Sequence, residues 1–289
     1  MLKLLFAIIL FLSIVMINLF TQKGNHTNEF YISKSFEELD IDIEKLQREE
    51  ITINNAKFIY LSFDDGPLNG SQNINAVAQK YQVPMNVMVV GEHVFMNATQ
   101  KKYFNNYKQN PYVEVNNHSF SHANNQYYSF YTKPQKVLKD FNKSMNLLGL
   151  DNKIARLPGR NVWAVNGKEY NRHKETKEAA KLLTQHGYKL IGWDIEWQYN
   201  RKTKYPIDTH QEFFAKLKKH LESNKKLFTP NNIVVLLHDP MFRKDSSELE
   251  NFIELLQTQT DYIIMPLSRY PVRNNRVVYH KKKLTNNRS

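Results

Sequence analysis

Two adjacent carboxylates, Asp64 and Asp65, follow the apolar run Phe58-Ile59-Tyr60-Leu61 and precede a turn glycine, in the stretch Ser62-Phe63-Asp64-Asp65-Gly66. A strand that ends this way sets charge at a rim rather than in a core. Successive strand residues face opposite sides, so the two aspartates are expected to divide the work, one holding a metal and the other moving a proton. Asp-Gly alone is an ordinary turn dipeptide, and the pair gains meaning from two later stretches of the same design. Val113-Glu114-Val115 leads into His118-Ser119-Phe120-Ser121-His122, and Ile233-Val234-Val235-Leu236-Leu237 leads into His238-Asp239. Of the ten histidines, only these three occupy such strand-end positions. Neutral imidazole with carboxylate oxygen suits zinc and similar divalent ions, and a catalytic site of this kind keeps one position open for water. The chain has no cysteine, which excludes disulfides and thiolate metal sites.

The elements that must position these groups can be read from periodicity. Strand-like runs fall at 58–63, 85–90, 112–116, 154–157, 188–193, 232–237 and 261–265. Between them lie stripes at helical spacing: Ile74, Val77, Ala78 and Tyr81; then Val137, Leu138, Phe141, Met145 and Leu148, with Pro134 near the start and Gly149 at the end. A third helix ends at Gly187, a fourth carries Phe213, Phe214, Leu217 and Leu221, and a fifth carries Leu249, Phe252, Ile253 and Leu256. Strand–helix alternation argues for a parallel sheet covered by helices. The polar candidates all stand at carboxyl ends of strands, where barrels and open α/β sheets place their sites. Seven runs suggest an incomplete barrel.

Outside this region, Leu4 to Phe20 is almost wholly apolar and preceded by Lys3, the pattern of an export segment. A helix of that length spans about 26 Å at ~1.5 Å per residue, marginal for a membrane crossing. Thr21-Gln22-Lys23-Gly24 offers no small-residue cleavage site, so a cleaved signal and a retained anchor both stay open. The expected organisation is 1–28 signal or anchor, 29–54 polar spacer with a capping box at Ser35-Phe36-Glu37-Glu38, 55–270 catalytic domain and 271–289 basic tail. The net charge of +12, joined to export, favours an anionic cell envelope over nucleic acid as partner. Membrane contact is expected only through the N-terminal segment, and the location outside the cell, secreted or held at the surface or wall.

With these motifs in view, the chain resembles the polysaccharide deacetylases, metal-dependent carbohydrate esterases built on a distorted (β/α)7 barrel of α/β class. The resemblance covers roughly residues 55 to 270. It implies that Asp64 is the catalytic base and that Asp65, His118 and His122 hold one divalent ion, with zinc first and cobalt or nickel also suited. The third motif, Arg156-Leu157-Pro158-Gly159-Arg160, implies that Arg156 orients Asp64 and that backbone N–H near Gly159 helps bind an oxyanion. It lacks the family's usual aromatic-glycine ending. The fourth, Trp193-Asp194-Ile195-Glu196-Trp197, is also altered, and either Asp194 or Glu196 is expected to tune the catalytic histidine. The fifth, Leu236-Leu237-His238, implies His238 as general acid. Trp163, Trp197 and the pair Tyr127-Tyr128 are candidate sugar-stacking surfaces.

Within the family, the altered motifs and the export segment make the chain most similar to deacetylases of the biofilm polymer poly-β-1,6-N-acetylglucosamine. Two alternatives stand beside this reading. One is a deacetylase of β-1,4 polymers such as peptidoglycan or chitin, which would use the same residues. The other is a carbohydrate-binding relative without turnover, against which the joint presence of base, ligands and acid speaks.

Overall fold

The computed structural model describes residues 48–53, 55–224, 226–273 and 277–282. The export segment, the capping box at Ser35 and the final residues of the basic tail lie outside them. Among the described residues no helix is long and apolar enough to cross a membrane. The chain divides into a compact unit, Ile53–Arg276, and a second unit containing β12 (Val277–Lys282) and most of β1 (Arg48–Ile53). These two strands pair with each other.

The larger unit is built on β2 (Lys57–Gly66), β3 (Met85–Val89), β4 (Val113–Asn117), β5 (Ile154–Ala155), β8 (Lys189–Leu190), β9 (Ile195–Glu196), β10 (Asn232–His238) and β11 (Tyr262–Ile264). A hairpin of β6 (Val162–Val165) and β7 (Lys168–Asn171) is appended at one edge. The sheet order is β7-β6-β8-β5-β4-β3-β2-β10-β9, with β11 pairing the start of β2. Every pairing from β8 through β5, β4, β3, β2 and β10 to β9 is parallel. This is the mixed α/β, curled-sheet form of a (β/α)7 deacetylase fold.

The ladder does not run all the way round. Between β8 and β9 the gap is spanned by Ile191–Asp194: the Ile191 N–H donates to Ala155 O at 2.9 Å and the Asp194 N–H to Val234 O at 2.9 Å.

The helices α1 (Ser71–Tyr81), α2 (Ala98–Gln109), α3 (Pro134–Leu148), α4 (Lys177–Gln185), α5 (His210–Ser223) and α6 (Ser247–Gln257) cover the sheet. Because one face of β2 and β10 meets helices and the other the barrel interior, both strands read as continuous apolar runs rather than alternating ones. Ile59, Leu61, Phe63, Ile233, Val235 and Leu237 share a core with Ile74, Val77, Phe213, Leu217 and Phe252. A second cluster joins Val137 and Phe141 of α3 to Ala179 and Leu183 of α4, over Leu157 and Leu190. The end of α3 follows its sequence signals, with Pro134 in the first turn and Gly149 at φ +56°, a conformation that favours glycine.

The apolar runs at 154–157 and 188–193 yield strands of only two residues each. Trp163 and Trp197, expected as sugar platforms, are instead core. Trp197 stacks on Phe213 at 4.7 Å and Trp163 on Phe228 at 4.5 Å, and both are buried.

Candidate active site

Register delivers the chemistry to one rim. His238 pairs directly with Asp64 across β10 and β2, Asn117 at the end of β4 pairs with Ala155, and His118 and Arg156 are the next residues along. Asp65 arrives by a device that alternation does not foresee. The β2–β3 register runs Asp64↔Met88 and then Gly66↔Val89, so Asp65 is an extra, bulged residue, at φ +73°. A bulge breaks the two-residue alternation. It brings both carboxylates to the same histidine: His118 Nε2 lies 3.5 Å from Asp64 Oδ2 and 3.7 Å from Asp65 Oδ1. The sequence expectation of opposite faces is therefore corrected, while the two aspartates still differ in their partners.

Asp65 Oδ1 is also 3.2 Å from His122 Nε2, and one ligand atom from each of Asp65, His118 and His122 lies within 4.8 Å of the others. The donor set fits a divalent ion. His118 Nδ1 is 3.0 Å from Arg156 O; a carbonyl only accepts, so Nδ1 carries the proton and Nε2 keeps its lone pair for the site. Burial holds the His118 imidazole down at about 4, in the neutral form a ligand needs. Burial also pushes on His122, but its hydrogen bond to Asp65 outweighs this and raises it. For Asp65, burial is overcome by that same bond and by the charge of His118, His238 and His122, which together hold the carboxyl well below its usual range.

Arg156 is fully buried with every arm of its guanidinium used. Nη1 donates to Asp64 Oδ1 at 2.7 Å and to Ser62 Oγ at 2.9 Å. Nε and Nη2 donate to Ile191 O at 3.1 Å and Gly192 O at 2.8 Å, the unladdered carbonyls of the barrel gap. One side chain thus fixes the Asp64 carboxylate and fills the break in the sheet.

Neither carboxylate expected to tune His238 makes a hydrogen bond or ion pair with it among the described residues. Asp194 is turned away: Oδ1 accepts from the Phe228 N–H at 2.7 Å and Oδ2 from the Val234 N–H at 2.8 Å, four residues before His238 on β10. Burial pushes its carboxyl up to about 7. Glu196, half-buried on β9 beside Leu236, makes no hydrogen bond or ion pair with His238 among the described residues. The His238 Nδ1 is buried and has no hydrogen-bond partner among the described residues, and the ring lies 5.2 Å from that of Tyr199.

Residues that sequence reasoning passed over hold the site in place. Asp239 is buried; its Oδ1 accepts from the Gly70 N–H at 2.8 Å and its Oδ2 from the Leu68 N–H at 3.3 Å and from the Ser71 hydroxyl. A Cβ at Gly70 would sit 1.8 Å from Asp239 O, so only glycine fits there. His93 donates from Nδ1 to Asp65 O at 2.6 Å. Tyr127, half-buried, faces His122 with ring centroids 5.8 Å apart and presses on Gly159, where a Cβ would lie 2.9 Å from its ring. Its neighbour Tyr128 is exposed. The one available signal was Asp239, an acid directly after a buried strand.

Residues 52–191 match the polysaccharide deacetylase family model. Over that stretch, just under half of its length, the chain is similar to this family. The activity that goes with the matched stretch is that of a hydrolase acting on amide bonds, an N-deacetylase. Comparison with the curated proteins gave no match. Among solved structures, the deacetylase fold is shared with the catalytic domain of a peptidoglycan N-acetylglucosamine deacetylase from Eubacterium rectale, at 23% identity and TM-score 0.53 over 81% of this chain and 97% of that one. A CE4 esterase from Streptococcus mutans is similar at 21% identity and TM-score 0.55, over 73% and 87% of the two chains. A family 4 carbohydrate esterase from Streptomyces lividans, solved with acetate, is similar at 15% identity and TM-score 0.50, over 73% and 93%.

Proposed function

We propose that this protein removes acetyl groups from poly-β-1,6-N-acetyl-D-glucosamine outside the cell, as does the staphylococcal intercellular-adhesin deacetylase that its whole sequence resembles. The observation that carries a deacetylase reading is the convergence of Asp64, Asp65, His118, His122, Arg156 and His238 on one rim. The altered third and fourth motifs and the Leu4 to Phe20 segment support the narrower substrate and location.

Asp65, His118 and His122 would hold the divalent ion, zinc first, which when bound polarises the acetyl carbonyl and acidifies water. Asp64 acts as the base. Arg156 occupies its Oδ1, leaving Oδ2, on the His118 side, to take a proton from the attacking water. His238 stands across the strand pair from Asp64 and donates a proton to the leaving amine. Because Nδ1 is buried, the proton to be delivered is the one on Nε2. Water adds to the amide carbon, the C–N bond breaks, and acetate leaves with a free glucosamine amine.

Each product unit carries an amine that protonates, so a neutral polymer becomes a polycation. An anionic envelope then retains it through many weak contacts that salt screens singly but that are strong in sum. Acetate release compared on β-1,6 and β-1,4 N-acetylglucosamine oligomers, with and without chelator, tests the reading. Release from the β-1,6 oligomer that chelator abolishes is expected. Preference for the β-1,4 oligomer would reassign the substrate, and no release from either would leave a binding protein. Cells carrying Asp64→Asn are expected to make the polymer but shed it into the medium.

A further inference from the structure

The loop that carries the two candidate histidine ligands is strained, from Ser119 to just beyond His122. Ser119, His122, Ala123, Asn124 and Asn125 all have positive φ, from +47° to +66°. Non-glycine residues adopt this region at a cost and persist there only when their surroundings over-determine them.

The surroundings are specific. On one side the turn at Gly91–Val94 donates its first amides, Gly91 N–H to Ser119 O at 3.0 Å and Glu92 N–H to Phe120 O at 2.8 Å. On the other, a single carboxylate oxygen from the middle of α3, Asp140 Oδ2, accepts from the Phe120 N–H at 2.8 Å and the Ser121 N–H at 3.1 Å. Two further contacts bind the loop to α3. Lys143 Nζ stands 3.5 Å from the centre of the Phe120 ring, and Asn117 Nδ2 donates to Phe141 O at 3.0 Å.

We infer that Asp140 is a positioning residue for the metal site: by taking two of the three amides between His118 and His122, the third going to Asn117 Oδ1, it fixes the distance and aim of the two imidazoles. It touches neither histidine side chain, Asp64 nor Asp65 through any hydrogen bond or ion pair among the described residues. The inference rests on the metal site proposed above.

Both amides go to one oxygen, which makes a discriminating test. Asn at this position keeps a carbonyl oxygen where Oδ2 now sits, Ala removes it, and Glu keeps the charge but moves it. Zinc affinity of the purified protein is measured by competition with a chromophoric chelator, with apo-protein melting in parallel. Asp140→Ala is expected to weaken zinc about 10-fold, the low end of what losing a ligand's own hydrogen-bond partner costs, since Asp140 acts through the backbone. Asp140→Asn is expected to stay within about threefold of wild type, and Asp140→Glu to fall between, with the apo melting temperature of Asp140→Glu unchanged. Should Asp140→Ala not fold, the Asn and Glu pair decides. Wild-type affinity in Asp140→Glu or Asp140→Ala, or an Asn variant as weak as Ala, overturns the inference. A wild-type protein that binds no zinc instead removes the metal-site reading beneath it.

Discussion

The aspartate loop after β2 and the histidine loop after β4 are each tied down by a carboxylate that comes from another element and takes two backbone N–H groups. Asp239 does this from a fully buried position, adding the Ser71 hydroxyl as a third donor. Asp140 does it from a helix face that solvent partly reaches. Burial decides what each clip is worth. Without Asp239, the freed amides have no water to turn to, and each pays its desolvation cost. Without Asp140, solvent can satisfy the amides but not hold them in place. Loss at the first is therefore expected to register as stability, and loss at the second as metal affinity.

The comparison can be broken or sharpened by substitution. The largest effect is expected from Arg156→Ala, which strands the buried Asp64 charge and two carbonyls of the barrel gap. Breaking a buried pair on one side costs about 3–5 kcal/mol, and chemical denaturation with acetate release should show both stability and turnover collapsing. Lys at this position is expected to restore only part of either, because it lacks the fork that reaches four acceptors. Next is Asp239→Ala, expected to cost about 1–3 kcal/mol for each buried group left unpaired. Equal denaturation midpoints for Asp239→Ala and Asp140→Ala would erase the distinction between the loops. His93→Ala removes one bond to the Asp65 backbone and should weaken zinc about 2–10-fold, the value of a single neutral hydrogen bond of ~0.5–1.5 kcal/mol.

The smallest expected effect is a slope. Burial raises the Asp194 carboxyl to about 7 in the folded chain, against ~3.9 unfolded. The folded state therefore holds this proton more tightly. Its contribution to stability is full below about pH 4 and is lost as pH rises through 7. Asp239, raised by burial to about 6, acts in the same sense over a narrower window. Urea midpoints followed from pH 4 to 8 should fall less steeply in Asp194→Asn than in wild type, and parallel curves would contradict this account.

Much of the fold was legible because β2 and β10 are buried on both faces and therefore uninterrupted, and because α3 carries its own start and stop. Helix α2 was not, since its buried face is only Gln100, Phe104 and Tyr107 amid lysines and asparagines. The β6–β7 hairpin is short and its second strand is largely exposed, so no alternation marks it. At the site, residues that follow apolar strands stood out by type and position: Asp64, Asp65, His118, His122 and His238. The bulge at Asp65 did not, because register is a property of two strands. Asp140 looks like one more charge on an amphipathic helix. The place of Asp194 could not be read from its motif, because nearness in the motif is not nearness in space: Asp194 leaves the gap segment toward the start of β10, not its end.

That gap has a consequence for how the enzyme is lost on heating. Amides in the β2–β10 ladder are held by a long parallel register, whereas Ile191–Asp194 is held by single bonds and by Arg156. Segments with few ladder bonds open first, at a free energy below that of global unfolding. Opening here withdraws the acceptors that hold the guanidinium, and with it the orientation of Asp64. Inactivation should therefore begin at a lower temperature than the calorimetric transition, with hydrogen exchange at residues 191–194 rising alongside it. The barrel would still be folded when its base had already lost its aim.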